Sequence, residues 1–151
     1  MYQIKKKQIV KADLATCWGF FSSPYNLKKI TPTYMGFEVL TEIPEKMYEG
    51  LMIEYRVKPL FGIPAKWVTR ISKVEENKFF IDEQWSGPYK AWHHEHHFKE
   101  IDEGTEITDI ITYQMPFGLL GKFVHPFIVK KKLESIFNYR NKAINDIFKQ
   151  A

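Results

Sequence analysis

Between Phe37 and Met115 the apolar residues recur at every second position, whereas after Val129 they recur at every third or fourth. That switch of period restricts the fold more than any other feature of the chain. Alternation marks strands with one buried face, and the later spacing marks an amphipathic helix. Phe37 to Thr41, Leu51 to Lys58, Ala65 to Val74, Lys78 to Trp85, Tyr89 to Ile101 and Glu106 to Met115 all read as strands. Turn-like separators join them: Pro44 to Gly50, Gly62-Ile63-Pro64, Glu75-Glu76-Asn77, Ser86-Gly87-Pro88 and Asp102-Glu103-Gly104. Separators this short favour antiparallel hairpins.

Ahead of these segments Tyr2 to Val10 reads as a further strand. Asp13 is a good N-cap for a short helix through Phe21, because its carboxylate accepts from first-turn amides. Ser22-Ser23-Pro24 stops that helix, and Asn26 to Ile30 offers one more turn. At the other end Val129, Leu133, Ile136, Phe137, Arg140, Ile144, Ile147 and Phe148 fall on one stripe of a long helix. His125-Pro126 either marks its first turn or kinks a preceding one. The expectation is one α+β domain over residues 1–151: a curved antiparallel sheet of about seven strands, one or two short helices, and a long helix laid across one face. A curved sheet gripping a helix leaves a gap, and gaps lined by apolar and a few polar groups are ligand sites.

Composition narrows the function classes. The chain carries 12 Phe, 8 Tyr and 4 Trp, a content that suits both a core and an apolar pocket. Its net charge of +4 raises the question of nucleic acid. The basic runs Lys5-Lys6-Lys7, Lys28-Lys29 and Lys130-Lys131-Lys132 are short and scattered, however, and no nucleic-acid-binding motif accompanies them. Solvated faces are expected instead, with no nucleic-acid partner. The single cysteine, Cys17, excludes an intramolecular disulfide and falls in an apolar helical stretch, where a buried structural thiol is expected. No apolar leader and no run of transmembrane length is present, so a cytoplasmic protein is expected.

At this level the sequence resembles the START-like, or SRPBCC, superfamily of helix-grip domains, which includes lipid-transfer domains, pollen-allergen-like proteins and polyketide cyclases. The resemblance covers nearly the whole chain and is to a bacterial ligand-binding branch. It is carried by Trp67 with Ile71, by Phe80, Asp82, Gln84, Gly87, Pro88 and Tyr89, and by Trp92, His94, His96 and Phe98. Gly104-Thr105, Asp109, Tyr113, Pro116, Gly118, Gly121 and Phe137-Asn138-Tyr139-Arg140 continue it. The resemblance implies a helix-grip fold and an internal cavity, and it implies neither a metal nor another cofactor. It does not specify a function, because one scaffold hosts carriers, cyclases and sensors.

Within the strand from Trp92 to Phe98, side chains alternate, so Trp92, His94, His96 and Phe98 share one face while His93, Glu95 and His97 take the other. Two large aromatics argue that the first face is inward. On the next segment Ile107, Asp109, Ile111 and Tyr113 form the more buried-looking set. A turn at Asp102 to Gly104 then sets Asp109 beside His96 or within about one residue step of it, and a buried carboxylate and imidazole are costly unless paired. A His96–Asp109 hydrogen bond is the simplest solution. Both faces of the segment containing Phe80, Asp82 and Gln84 carry aromatics; the resemblance favours Asp82 and Gln84 as cavity-lining, with Asp82 near His94.

Three readings of this cluster stand side by side. It is a polar network fixing strand register; or it anchors the polar end of a ligand; or it performs acid–base chemistry or binds a metal through His-x-His and a carboxylate. The first of the expected functions is a carrier or sensor for a small, largely hydrophobic molecule, with Trp67, Asp82, Gln84, Trp92, His94, His96, Phe98, Asp109, Tyr113, Phe137 and Arg140 as the ligand-binding set. Such a carrier calls for a cavity of several hundred Å3, roughly the usual size of ligand pockets. The second is a cyclase- or dehydratase-like enzyme using His96, Asp109 and His94. The third is a structural or regulatory partner protein with a vestigial cavity. Arg140 sits on the apolar stripe and either crosses to a carboxylate or snorkels to solvent. Met115 to Phe123 and Leu60 to Pro64 are candidate rims of the cavity, mobile or packed, with transient membrane contact if exposed.

Overall fold

The computed structural model describes residues 1–59, 62–124 and 128–149. Its strands are β1 (Tyr2–Val10), β2 (Glu38–Val39), β3 (Met52–Val57), β4 (Ala65–Glu75), β5 (Phe79–Ser86), β6 (Ala91–Ile101) and β7 (Gly104–Gln114). The helices are α1 (Leu14–Phe21), α2 (Pro24–Leu27), α3 (Gly118–Val124) and the 20-residue α4 (Val129–Phe148), with two 3-10 turns at Lys28–Ile30 and Thr33–Met35. The seven strands form one antiparallel sheet in the order β1-β7-β6-β5-β4-β3-β2. Hairpin neighbours therefore pair in sequence, and β1 closes the sheet against β7.

Local chemistry accounts for most of these boundaries. The Asp13 carboxylate accepts the Thr16 amide hydrogen at 2.7 Å and starts α1. Gly104 opens β7 with φ +141°, a conformation that L side chains rarely adopt, and its Cα faces the Val10 carbonyl so closely that a Cβ would overlap it. Gln84 clasps the β5–β6 turn: its side-chain amide donates to the Tyr89 carbonyl at 2.7 Å and accepts the Tyr89 amide hydrogen at 3.1 Å. Between β4 and β5 the register slips at Val68/Thr69 and again at Ile71/Lys73. Such irregularities bend a sheet and increase its twist, which is what wrapping a helix requires.

Three apolar clusters fill the space between sheet and helix. Val10, Cys17, Trp18, Phe80, Phe98, Ile107, Ile144 and Phe148 form one, beneath α1 and the end of α4. Phe37, Ile53, Tyr55, Val57 and Ile71 form a second under β3 and β4. Ile111, Tyr113, Val129, Leu133 and Phe137 form the third, at the start of α4. Cys17 is fully buried, as expected of a structural thiol, and burial pushes its pKa up.

The expected segments shift at their ends. Phe37 to Thr41 shortens to the two residues of β2, an edge strand with pairing on one side only. The strand expected from Tyr89 begins at Ala91, because Tyr89 is held in the turn by Gln84. Ile147, expected on the buried stripe of α4, is 41% exposed. The linker after β7 forms α3, and Phe117, Leu119, Leu120 and Phe123 are exposed rather than packed beneath the long helix. His125-Pro126 and Leu60-Phe61 lie outside the described residues. Among the described residues no helix is long and apolar enough to cross a membrane.

Candidate functional site

β6 and β7 pair with His96 opposite Asp109 and His94 opposite Ile111, while β5 sets Asp82 opposite His94. The alternation read from the sequence therefore converges on one spot of the inner face. His94 and His96 are 5% and 6% exposed, Asp109 8%, and Arg140 reaches the same spot from α4 at 8%. Asp109 interrupts an otherwise apolar row, between Ile107 of one cluster and Ile111 of another. Four ionisable groups and an arginine are thus gathered where three hydrophobic clusters meet. Such groups are tolerated in an interior only when paired.

The pairing is reciprocal. Asp109 Oδ1 lies 2.8 Å from His94 Nε2, 3.2 Å from His96 Nδ1 and 3.5 Å from an Arg140 guanidinium nitrogen. On the opposite edges of the two rings, Asp82 Oδ2 lies 2.5 Å from His96 Nε2 and 3.9 Å from His94 Nδ1. The imidazoles stack on each other with centroids 3.7 Å apart, and Phe80 stacks on His96 at 4.1 Å. The expected His96–Asp109 contact is present, but Asp109 is shared with His94, and Asp82 bonds His96 rather than its cross-strand neighbour.

Ionised carboxylates only accept hydrogen bonds, so the ring nitrogens within hydrogen-bond distance of them donate. His96 has carboxylates at both nitrogens. Burial opposes its charge, yet the hydrogen bonds it donates to Asp109 and Asp82 prevail and raise its pKa above the ordinary histidine value. His94 goes the other way: burial and the charge of His96 outweigh the pull of Asp109 and lower it. A neutral His94 that donates through Nε2 presents Nδ1 as a lone pair. For Asp109, burial is overcome by the Arg140 charge and the two imidazole hydrogen bonds, which hold it well below the usual carboxylate range. Asp82 is lowered against burial by His96, His94 and Arg140. With both carboxylates ionised, the cations His96 and Arg140 bring the group close to neutrality.

A cavity of about 190 Å3 opens beside this cluster, between the sheet and α4. Its wall is apolar over Phe21, Ile53, Val57, Ile71, Ile136 and Phe137, and polar where Asp82, His94, His96 and Arg140 meet it. The volume falls short of the several hundred Å3 expected from sequence. Trp67 and Trp92 line the cavity and pack edge to face at 5.2 Å, with Tyr89 against both at 5.6 and 4.9 Å.

Against solved structures nearly the whole chain superposes on proteins with little sequence in common. Protein Ms6760 from Mycobacterium smegmatis is 18% identical, with 96% of this chain and 92% of that one covered at a TM-score of 0.68. CV1439 from Chromobacterium violaceum is 10% identical, with coverage of 97% and 96% and a TM-score of 0.73. Ara h 8.0201 is 14% identical, with coverage of 96% and 98% and a TM-score of 0.62. The chain has the helix-grip fold. No family model and no curated protein sequence matches it.

Within this helix-grip frame the residues singled out from sequence separate into two groups. Trp67, Asp82, Trp92, His94, His96, Phe137 and Arg140 line the cavity. Arg140 crosses to a carboxylate and does not snorkel to solvent. Gln84, Phe98, Asp109 and Tyr113 do not line it. Gln84 is spent on the Tyr89 turn, Phe98 packs against Trp18 at 5.2 Å, and Tyr113 sits in the cluster beneath the start of α4. Asp109 stands behind the histidines and faces the cavity only through them. The cavity also draws Thr69 and Tyr55, which the sequence reading passed over. Their signal was the alternation Ile53-Tyr55-Val57 and Trp67-Thr69-Ile71, which puts each on the inward face.

Proposed function

We propose that this protein binds a small, mostly apolar molecule whose polar end meets the Asp82–His94–His96–Arg140 wall. One observation carries the reading: an apolar cavity with its only ionic surface concentrated at one side, among the described residues. The helix-grip fold and the resemblance to ligand-binding START-like domains support it. The size narrows the occupant. An empty protein cavity of roughly 150 Å3 accepts benzene, so about 190 Å3 suits one substituted ring or a short branched chain. Sterols and long-chain fatty acids are too large without rearrangement. The function is that of a carrier or sensor, and a cytoplasmic location with transient membrane contact through the exposed apolar face of α3 is part of the same proposal.

The test is thermal unfolding with isopropylbenzene and with palmitate. A ligand that binds only the folded state stabilises it by mass action, so the small ring raises the melting temperature and palmitate leaves it unchanged. Val57→Phe, which fills the cavity from β3, abolishes the effect. Stabilisation by palmitate alone, or by neither probe, would overturn this reading.

Acid–base catalysis is the second reading, and the geometry favours a particular form of it. His96 is held between two carboxylates that favour its charged form, whereas the charged form of His94 is disfavoured and its Nδ1 stands at the cavity wall. The base of a cyclase- or dehydratase-like reaction is then His94, with Asp109 orienting it. His94→Gln would remove turnover of a substrate while leaving isopropylbenzene binding in place.

A further inference from the structure

Asp109 touches the far edge of both imidazoles, and the near edges of the same two rings face Asp82 at the cavity wall. We propose that Asp82 Oδ2, His94 Nδ1 and His96 Nε2 form a site for one divalent first-row transition ion, of the zinc class, with its fourth position open to the cavity. The proposal goes beyond ligand binding as such and supplies the polar end of that same cavity with its chemistry.

Three observations converge on it. First, these three ligand atoms all lie within 4.8 Å of one another, the only such group of three among the described residues. Zinc bonds of about 2.0–2.2 Å to nitrogen and oxygen require ligand atoms a little over 3 Å apart. His96 Nε2 and Asp82 Oδ2 at 2.5 Å must spread, and His94 Nδ1 and Asp82 Oδ2 at 3.9 Å must close. Both movements are below an ångström, and the two stacked rings must also open so that their in-plane lone pairs converge on one ion.

Second, a metal-bound imidazole almost always donates its other N–H to a carboxylate or carbonyl, which fixes the ring and its tautomer. One carboxylate performs that service here for two rings, at 2.8 and 3.2 Å. Asp109 is in turn ion-paired with Arg140, at 3.5 Å, whose charge also reaches Asp82. Asp82, His94 and His96 line the cavity while Asp109 does not, which is the order that an inner and an outer shell require.

Third, Arg140 Nε is buried without a hydrogen-bond partner, on a side chain that also lines the cavity wall. An unpaired buried donor costs stability unless something fills its valence. A polar or anionic group of a bound molecule in the cavity would meet that need. Three protein ligands with a fourth position left open is the arrangement of catalytic zinc rather than structural zinc.

The experiment is calorimetric titration of chelator-treated, untagged protein with Zn2+. One ion per chain is expected to bind. Asp82→Asn lowers the affinity by more than about 100-fold, beyond what loss of an outer partner alone produces, and Asp109→Asn lowers it by roughly 10–100-fold. His93→Ala combined with His97→Ala, on the solvent face of β6, leaves it unchanged. Where the buried variants fail to fold, Co2+ in wild-type protein decides: an intense tetrahedral visible band supports the site, and the faint spectrum of a hydrated or surface-bound ion overturns it. Equal Zn2+ affinity in wild type and Asp82→Asn, or no binding at all, also overturns it. Isopropylbenzene is measured on the same metal-free protein. If it stabilises the fold while Zn2+ does not bind, the metal site falls and the apolar cavity stands. If Zn2+ binds and no hydrocarbon does, the cavity reading falls alone.

Discussion

β6 presents four histidines in five residues, two to each face, and their fates differ completely. His94 and His96 are almost fully buried, stacked ring on ring, and hydrogen-bonded to the carboxylates of Asp109 and Asp82. His93 and His97 lie partly exposed on the outer face, with His93 2.7 Å from Glu83 and His97 3.2 Å from Glu95. The distances are alike and the residue types are alike. What differs is the solvent. Water screens the outer pairs and competes for every hydrogen bond they make, so exposed ion pairs contribute little. The inner pairs have no such competitor, and each charge removed leaves another uncompensated.

The largest expected effect comes from breaking the inner group. Asp109→Ala strands Arg140 and His96 in the interior and lowers stability by about 3–5 kcal/mol, read as a fall in the urea midpoint. A change near that of a surface substitution would mean that water already reaches the cluster.

An acid titration of the chelated protein sharpens the contrast with a smaller effect. Asp82 and Asp109 are held below their ordinary value of 3.8, so their contribution is complete above it and lost as pH falls through the folded values. His94, lowered from 6.5, adds to the loss on the acid side, because the unfolded chain takes up a proton below that pH which the folded chain refuses. His96 is raised, so its contribution is present below 6.5 and fades as pH climbs through its folded value. Urea midpoints should therefore fall from neutral pH towards pH 3, and Asp109→Asn should flatten the curve. An unchanged curve in that variant would assign the acid loss elsewhere.

The smallest effect belongs to the outer face. His93→Ala with His97→Ala shifts stability by no more than about 0.5 kcal/mol, and the shift shrinks further in high salt as the Debye length shortens. A loss comparable to that of Asp109→Ala would erase the distinction between the two faces.

Much of this was legible in the chain because it depends on period alone. Alternation decided that His94 and His96 point one way and His93 and His97 the other, that Asp109 joins Ile107 and Ile111, and that a long helix follows a run of hairpins. Those are local consequences of strand geometry and need no knowledge of neighbours. The Asp13 cap and the turn at Gly104 were readable for the same reason.

Period could not say which carboxylate meets which imidazole. That depended on ring stacking and on the diagonal reach of Asp82 to His96 on the adjacent strand. Nor could it send Arg140 inward, since a long flexible side chain snorkels or crosses according to what the opposite sheet offers, and here Asp109 offered a charge. The cavity volume was likewise decided late. It is the space left after Trp67, Tyr89 and Trp92 have packed against one another, a property of shapes in three dimensions. The sequence by itself determined the sheet, the helix and the inward face of each strand, because these follow from the geometry of single elements. The tertiary structure alone decided the charge pairing and the size of the pocket, because both depend on groups far apart in the chain and on the water that packing excludes.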